Sequence, residues 1–185
     1  MQVSMAATTR SFGRQVSGMK AVVVYESHWG NTAEVAKAIA EGIGEGAVVV
    51  TTDQADFTVV SGADLLVAGA PVMGMRLPTD RMESAVAADA DKAPTPPDVS
   101  HPSLRHWLNG LPRGHGQGAA FETRVRWAPG GATGTIERDL ERAGFAPTFH
   151  PGKFIVAGRY GPLRAGELDR ARRWGAELRS RVATN

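Results

Sequence analysis

No cysteine occurs among the 185 residues, so disulfide frameworks, thiolate metal sites, iron-sulfur clusters and cysteine nucleophiles are excluded together. Any redox chemistry must therefore come from a bound cofactor. No apolar run approaches the roughly 20 residues that cross a bilayer, and the 42% hydrophobic and 22% charged composition is that of an ordinary globular chain. A soluble, cytoplasmic protein is expected. Charge of one sign is also missing: 21 Lys and Arg face 19 Asp and Glu. The arginine-heavy cation set lifts the pI to about 9.3 and would suit an anionic partner. Without a basic block or an aromatic-basic motif, however, nucleic acid is not an expected partner.

The length suits one domain with a sizeable core. Residues 1–18 mix Thr, Ser, Gly and Arg without an apolar stretch, so they are expected to be a flexible extension before a domain spanning residues 19–185. Within that domain, Lys20-Ala-Val-Val-Val-Tyr25 is a β-branched run of the kind buried on both faces of a parallel sheet. From Thr32 onward, Val35, Ala36, Ile39, Ala40 and Ile43 fall at helical spacing, with Gly42 and Gly44 as stop signals. Ala47–Thr51 and Asp64–Gly69 read as the second and third strands, and residues 52–63 between them hold either a short helix or a plain crossover. Thr79 and Ser103 are candidate helix caps. Gly118–Glu122, running on toward Val125, and Lys153–Ala157 supply the fourth and fifth strands. The last helix carries Leu168, Ala171, Gly175, Leu178 and Val182 on one face. Trp107 and Trp174, at helical spacing, are expected to pack. The alternation of strand and helix predicts a parallel sheet wrapped by helices.

The informative segment is Tyr25-Glu-Ser-His-Trp-Gly-Asn-Thr32, at the exit of the first strand. Open α/β sheets bind ligands outside the carboxyl ends of their strands. Here Ser27, Asn31, Thr32 and the backbone made approachable by Gly30 meet the amino end of a helix, where free N–H groups and the helix dipole favour an anion. The Walker pattern and G-x-G-x-x-G are both absent. A response-regulator reading fails because the third strand ends in Gly69-Ala-Pro71 without a phosphoacceptor aspartate. The alternative is a well-capped turn, with Asn31 or Thr32 as N-cap.

The segment Ser27-His-Trp-Gly-Asn-Thr32, following Met19–Tyr25, resembles the phosphate loop of the flavodoxin family, [ST]-x-[ST]-G-x-T after the first strand. Ala119–Val125, Gly161–Glu167 and Ala171–Ala176 resemble a branch of flavodoxin-like proteins common in actinobacteria, mostly of unassigned function. The resemblance implies an α/β, flavodoxin-like, doubly wound five-stranded parallel sheet in the order 2-1-3-4-5, helices on both faces, and FMN as ligand. It also implies that Ser27, Trp29, Gly30, Asn31 and Thr32 surround the phosphate, while loops after the third and fourth strands embrace the ring. On those loops the candidates are Pro71, Val72, Met73, Gly74 and Met75, then Thr123, Arg124, Arg126 and Trp127. His28 either approaches the phosphate or ring edge or sits in solvent. Two departures stand out: Trp29 replaces a small hydroxyl residue, and Pro71–Arg76 lacks the aromatic residue that stacks on flavin. Met73 and Met75 are polarizable enough to lie against a ring, or else fill gaps in the loop, and Trp127 is placed to reach the same mouth.

A flavin bordered by Arg76, Arg81, Arg124 or Arg126 would have a raised potential. At about 8 Å and an effective dielectric of about 20, one cation favours an anionic reduced flavin by roughly 2 kcal/mol, or about 90 mV for one electron. The expected function is FMN-dependent electron transfer or reduction, from a nicotinamide or partner reductase to a quinone-like acceptor. Oligomers are common among quinone reductases of this fold. Two alternatives stay open: a binding or scaffold module that has lost FMN, and a site for another phosphorylated cofactor such as a deazaflavin. No catalytic dyad or triad emerges, and His101, His106, His115 and His150 lack zinc-type ligand spacing.

Overall fold

The β-branched run after Lys20 forms β1 (Ala21–Tyr25), whose first four residues are fully buried. The computed structural model describes residues 18–147 and 149–184, so all but the last residue of the expected N-terminal extension lies outside the described residues. Parallel to β1 run β2 (Ala47–Thr51) and β3 (Leu65–Pro71), with Val23 paired to Val49 on one side and to Val67 on the other. Beyond β3 lies β4 (Gln117–Val125), in register from Leu65↔Gln117 to Pro71↔Thr123. The strand order β2-β1-β3-β4-β5 is the expected one.

The outer position next to β4 is shared by two segments. The short β5 (Ala146–Pro147) pairs with Gln117 and Gly118, and β6 (Gly152–Val156) pairs with Phe121 to Val125. The expected single strand over residues 153–157 is thus the second half of a split edge. More chain separates Pro147 from Gly152 than separates Gly118 from Phe121, so the edge strand leaves the ladder and rejoins it.

One face of the sheet is covered by α1 (Asn31–Ile43) and α6 (Glu167–Val182), with Val35, Ile39, Ala171 and Leu178 packed against Val23, Leu65 and Phe121. The two helices approach closely because Gly42 and Gly175 stand where they cross. A Cβ on Gly42 would collide with the Arg172 carbonyl, and one on Gly175 with that of Ile39. The opposite face carries α2 (Phe57–Val60), α4 (Leu104–Asn109) and α5 (Thr133–Arg142), whose Val60, Leu104, Ile136 and Leu140 pack on Val22, Val24 and Leu66. The segment between the second and third strands therefore does hold a short helix, capped by the Asp56 carboxylate accepting from the Val59 N–H at 3.0 Å. Thr79 caps α3 (Asp80–Ala88) and Ser103 caps α4, as their sequence contexts predict. Trp107 is buried and donates from Nε1 to the Ala55 carbonyl at 2.8 Å. Trp174 lies edge-on to Phe154. Among the described residues no helix is long and apolar enough to cross a membrane.

Candidate functional site

At the carboxyl ends of the central strands lies a cavity of about 320 Å³, a size suited to a cofactor or small molecule. Four chain segments build it: His28, Trp29 and Asn31 after β1; Pro71 to Gly74 after β3; Thr123 to Val125 at the end of β4; and Val156, Gly158 and Arg159 after β6. The last segment carried no recognisable marker in the sequence. Its neighbour Tyr160 meets Trp29 in an edge-on ring contact, centroids 4.9 Å apart, and its carbonyl accepts from the Asn31 amide at 3.1 Å. Trp29 thus forms wall and leaves the cavity open.

The amino end of α1 differs from the capped turn considered from sequence. Gly30, not Asn31 or Thr32, is its N-cap, in the left-handed conformation (φ 86°) and with no side chain capping the first turn. The helix dipole and the first N–H groups are left for whatever occupies the loop. Buried polar atoms in the same loop also lack partners, Ser27 Oγ and Trp29 Nε1 among them. Thr32 is buried and shares a 2.8 Å hydrogen bond with the Thr123 hydroxyl, tying the loop to the end of β4.

The amino ends of α2, α4 and α5 receive the protein's own carboxylates, whereas α6, like α1, begins at a left-handed glycine without a side-chain cap. Glu122, fully buried in β4, accepts from the Ala132 and Thr133 N–H groups at 2.6 and 3.1 Å at the start of α5, and from Arg124 Nη1 at 2.8 Å. Arg124 Nη1 also donates to the Gly130 carbonyl. Arg124, one of two arginines lining the cavity, therefore has its charge matched from beneath. A Cβ on Gly131 would stand 2.8 Å from the Glu122 carboxylate, so glycine there leaves room for this cap.

Behind the cavity sits a second polar group. Glu26 Oε2 accepts from the Leu104 N–H at 2.7 Å, at the start of α4. Its Oε1 lies 3.8 Å from His28 Nε2. Burial, with the nearby Glu83 carboxyl, pushes Glu26 up to about 8, although the Leu104 N–H acts in the opposite direction. Burial pulls His28 down to about 4, with His101 adding to the effect. At neutral pH the pair is thus a neutral imidazole beside a largely protonated carboxyl. His28, for which solvent was one expectation, is 4% exposed.

Of the residues singled out from sequence, the cavity wall unites His28, Trp29, Asn31, Pro71, Val72, Met73, Gly74, Thr123 and Arg124. Ser27 and Thr32 lie buried beside it, and Gly30 is exposed at its edge. Met75 is 54% exposed at a positive φ of 68° and stands off the wall. Trp127 is 74% exposed, with the Arg126 guanidinium over its own ring at 5.0 Å, and does not line the cavity. Arg76 and Arg81 are likewise exposed and outside it.

The Flavodoxin family profile matches residues 23–174. Among solved structures, an archaeal flavodoxin superposes with a TM-score of 0.62 at 20% identity, covering 89% of this chain and 99% of that one. A WrbA-like flavodoxin from Agrobacterium tumefaciens gives 0.59 at 16%, covering 90% and 98%. Oxidised flavodoxin 1 from Bacillus cereus gives 0.58 at 19%, covering 86% and 96%. No curated protein sequence matches the chain.

Proposed function

Since the chain belongs to the flavodoxin family, we propose that it binds flavin mononucleotide in the cavity at the carboxyl ends of its strands and serves as a redox protein. The observation that carries this reading is the uncapped amino end of α1, opening beside a cavity walled by four loops. The donor set fits a phosphate: first-turn N–H groups, the partnerless Ser27 hydroxyl and the Trp29 indole N–H. Trp29, Val72, Met73, Val125 and Val156 offer apolar surface for the ring system. Bound flavin supplies reversible one- and two-electron transfer, while the protein supplies position and electrostatics.

The charges lining the cavity temper the raised potential inferred from the arginines. Arg124 is matched by Glu122, so the roughly 2 kcal/mol that one free cation would contribute is largely offset. Arg159, exposed at the rim, remains as a solvent-screened positive charge that favours anionic donors such as a nicotinamide nucleotide. Electrons would pass on to a quinone-like acceptor at the open mouth.

The test is a fluorescence titration of purified protein with FMN, riboflavin, FAD and a deazaflavin. FMN is expected to bind at least about tenfold tighter than riboflavin, because riboflavin lacks the phosphate that engages the helix end. Equal affinities would remove the phosphate anchor, tighter deazaflavin binding would reassign the cofactor, and no uptake at all would leave a flavodoxin fold used for binding or scaffolding.

A further inference from the structure

We infer that Glu26, His28 and Glu83 form a binding site for a first-row divalent cation of the zinc type, set behind the wall of the flavin cavity. The ligand-capable atoms of these three side chains lie within 4.8 Å of one another. They come from the exit of β1 and from α3. Glu26 and His28 are 1% and 4% exposed, and Glu83 is half-buried.

Unpaired atoms give the independent sign of a ligand. Among the described residues, six buried side-chain polar atoms have no hydrogen-bond partner, and three of them belong to these side chains: Glu26 Oε1, His28 Nδ1 and Glu83 Oε1. Buried polar atoms without partners are rare, and a cluster of them calls for an ion, an ordered water or, between the two carboxyls, a shared proton. His101, 8% exposed, holds Thr52 and the Pro102 carbonyl through Nδ1 and keeps Nε2 free. It stands near enough to influence both His28 and Glu83 electrostatically.

The spacing suits a small cation. Zinc bonds of roughly 2.0–2.1 Å in a tetrahedron separate ligand atoms by about 3.4 Å, against 3.8 Å between His28 Nε2 and Glu26 Oε1. The three ligand atoms, within 4.8 Å of one another, would draw closer around an ion. Two carboxylates with imidazole select zinc, iron(II) or manganese over magnesium or calcium, and the absence of thiolate disfavours copper(I). Glu83 also lines an open depression with Asp80, Ser103 and His106, which gives an ion a route from solvent. Bound there, the cation would tie the loop after β1 to α3 and fix the His28 ring in the cavity wall.

The test uses the full chain, stripped with a chelator and kept free of flavin, so that its outcome is independent of the cofactor reading. Zinc is titrated in competition with a chromophoric chelator, and cobalt(II) is added as a spectroscopic probe. One equivalent of zinc and visible cobalt d-d bands are expected. Glu83→Gln, on a half-buried residue chosen to spare the fold, should weaken zinc binding beyond the roughly 10- to 100-fold cost of losing an outer-shell partner. His28→Gln should abolish the cobalt bands, while Glu177→Gln on the exposed face of α6 should leave binding unchanged. Circular dichroism establishes that each variant is folded. Absence of cobalt bands in the wild type, or equal zinc affinity in folded Glu83→Gln, overturns the site.

Discussion

Replacing Glu122 by Gln isolates the charge beneath the cavity with almost no change of shape. Glu122 is fully buried and serves two donors on α5 and one on Arg124, whose side chain is 11% exposed. An amide has one acceptor oxygen. Wherever its NH2 points, it meets either the Ala132 and Thr133 N–H groups or the guanidinium, and the remaining bonds lose their charge assistance. Removing one partner of a buried ion pair costs about 3–5 kcal/mol. With a urea m-value of about 2 kcal/mol/M for a chain of this size, the unfolding midpoint should fall by roughly 2 M. The loss should be smaller by at least about 1 kcal/mol when Arg124 is already Met, because the two residues are coupled. A midpoint within about 0.3 M of wild type, unaffected by the Arg124→Met background, would refute the assignment of Glu122 as both helix cap and counter-ion.

Gly175→Ala at the α1–α6 crossing should destabilise by about 1–3 kcal/mol in the same assay, whereas Gly134→Ala in α5, where a Cβ meets nothing within 4 Å, should be neutral or gain up to about 1 kcal/mol. Trp107→Phe removes the donor to the Ala55 carbonyl and should cost about 1–3 kcal/mol. Trp127→Ala should change FMN affinity less than about threefold, since that ring lies off the cavity wall and exposed positions contribute little; a tenfold loss by titration would return it to the site. The last expectation concerns pH in chelator-treated protein. Glu26 rises from 4.5 to about 8 on folding, so its contribution is complete below pH 4.5 and disappears as pH climbs through 8. His28 falls from 6.5 to about 4, so its contribution is complete above pH 6.5 and is lost as pH drops through 4. The two oppose each other between 4.5 and 6.5. From pH 6.5 to 8 His28 no longer offsets Glu26, which ionises against the neighbouring Glu83 carboxyl, and stability should decline by roughly 2 kcal/mol. Parallel declines in wild type and Glu26→Gln, followed by urea unfolding at each pH, would contradict this.

The sequence revealed those parts of the molecule whose physics is local. A doubly buried strand writes itself as consecutive valines, so β1 and its loop could be read directly, whereas the strand order followed only from the resemblance to the flavodoxin family. Thr79 and Ser103 announced their helices because a cap acts only three residues away. The misplacements follow from geometry beyond that range. Trp127 seemed to face the mouth, but β4 ends at Val125 and the chain then turns outward. The wall from Val156 to Arg159 had no motif because a lone valine, a glycine and an arginine line it, and only the fold brings them beside the loop after β1. The split of the edge strand depends on its fit to β4, which no window of sequence contains. The acidic cluster joins residue 26 to residue 83, and its only local trace is the Glu-x-His spacing at the exit of β1, where alternate residues of an extended chain point the same way.

The division of the outermost strand bears on how this protein behaves in a crowded solution. A sheet border exposes unpaired amides and carbonyls on which another molecule's chain can align, and proteins blunt that hazard with short or interrupted borders. Beside β4 the border runs as two residues, a detour and then five. An intruder therefore finds no long straight row to copy, and self-association through this side is discouraged even at high concentration.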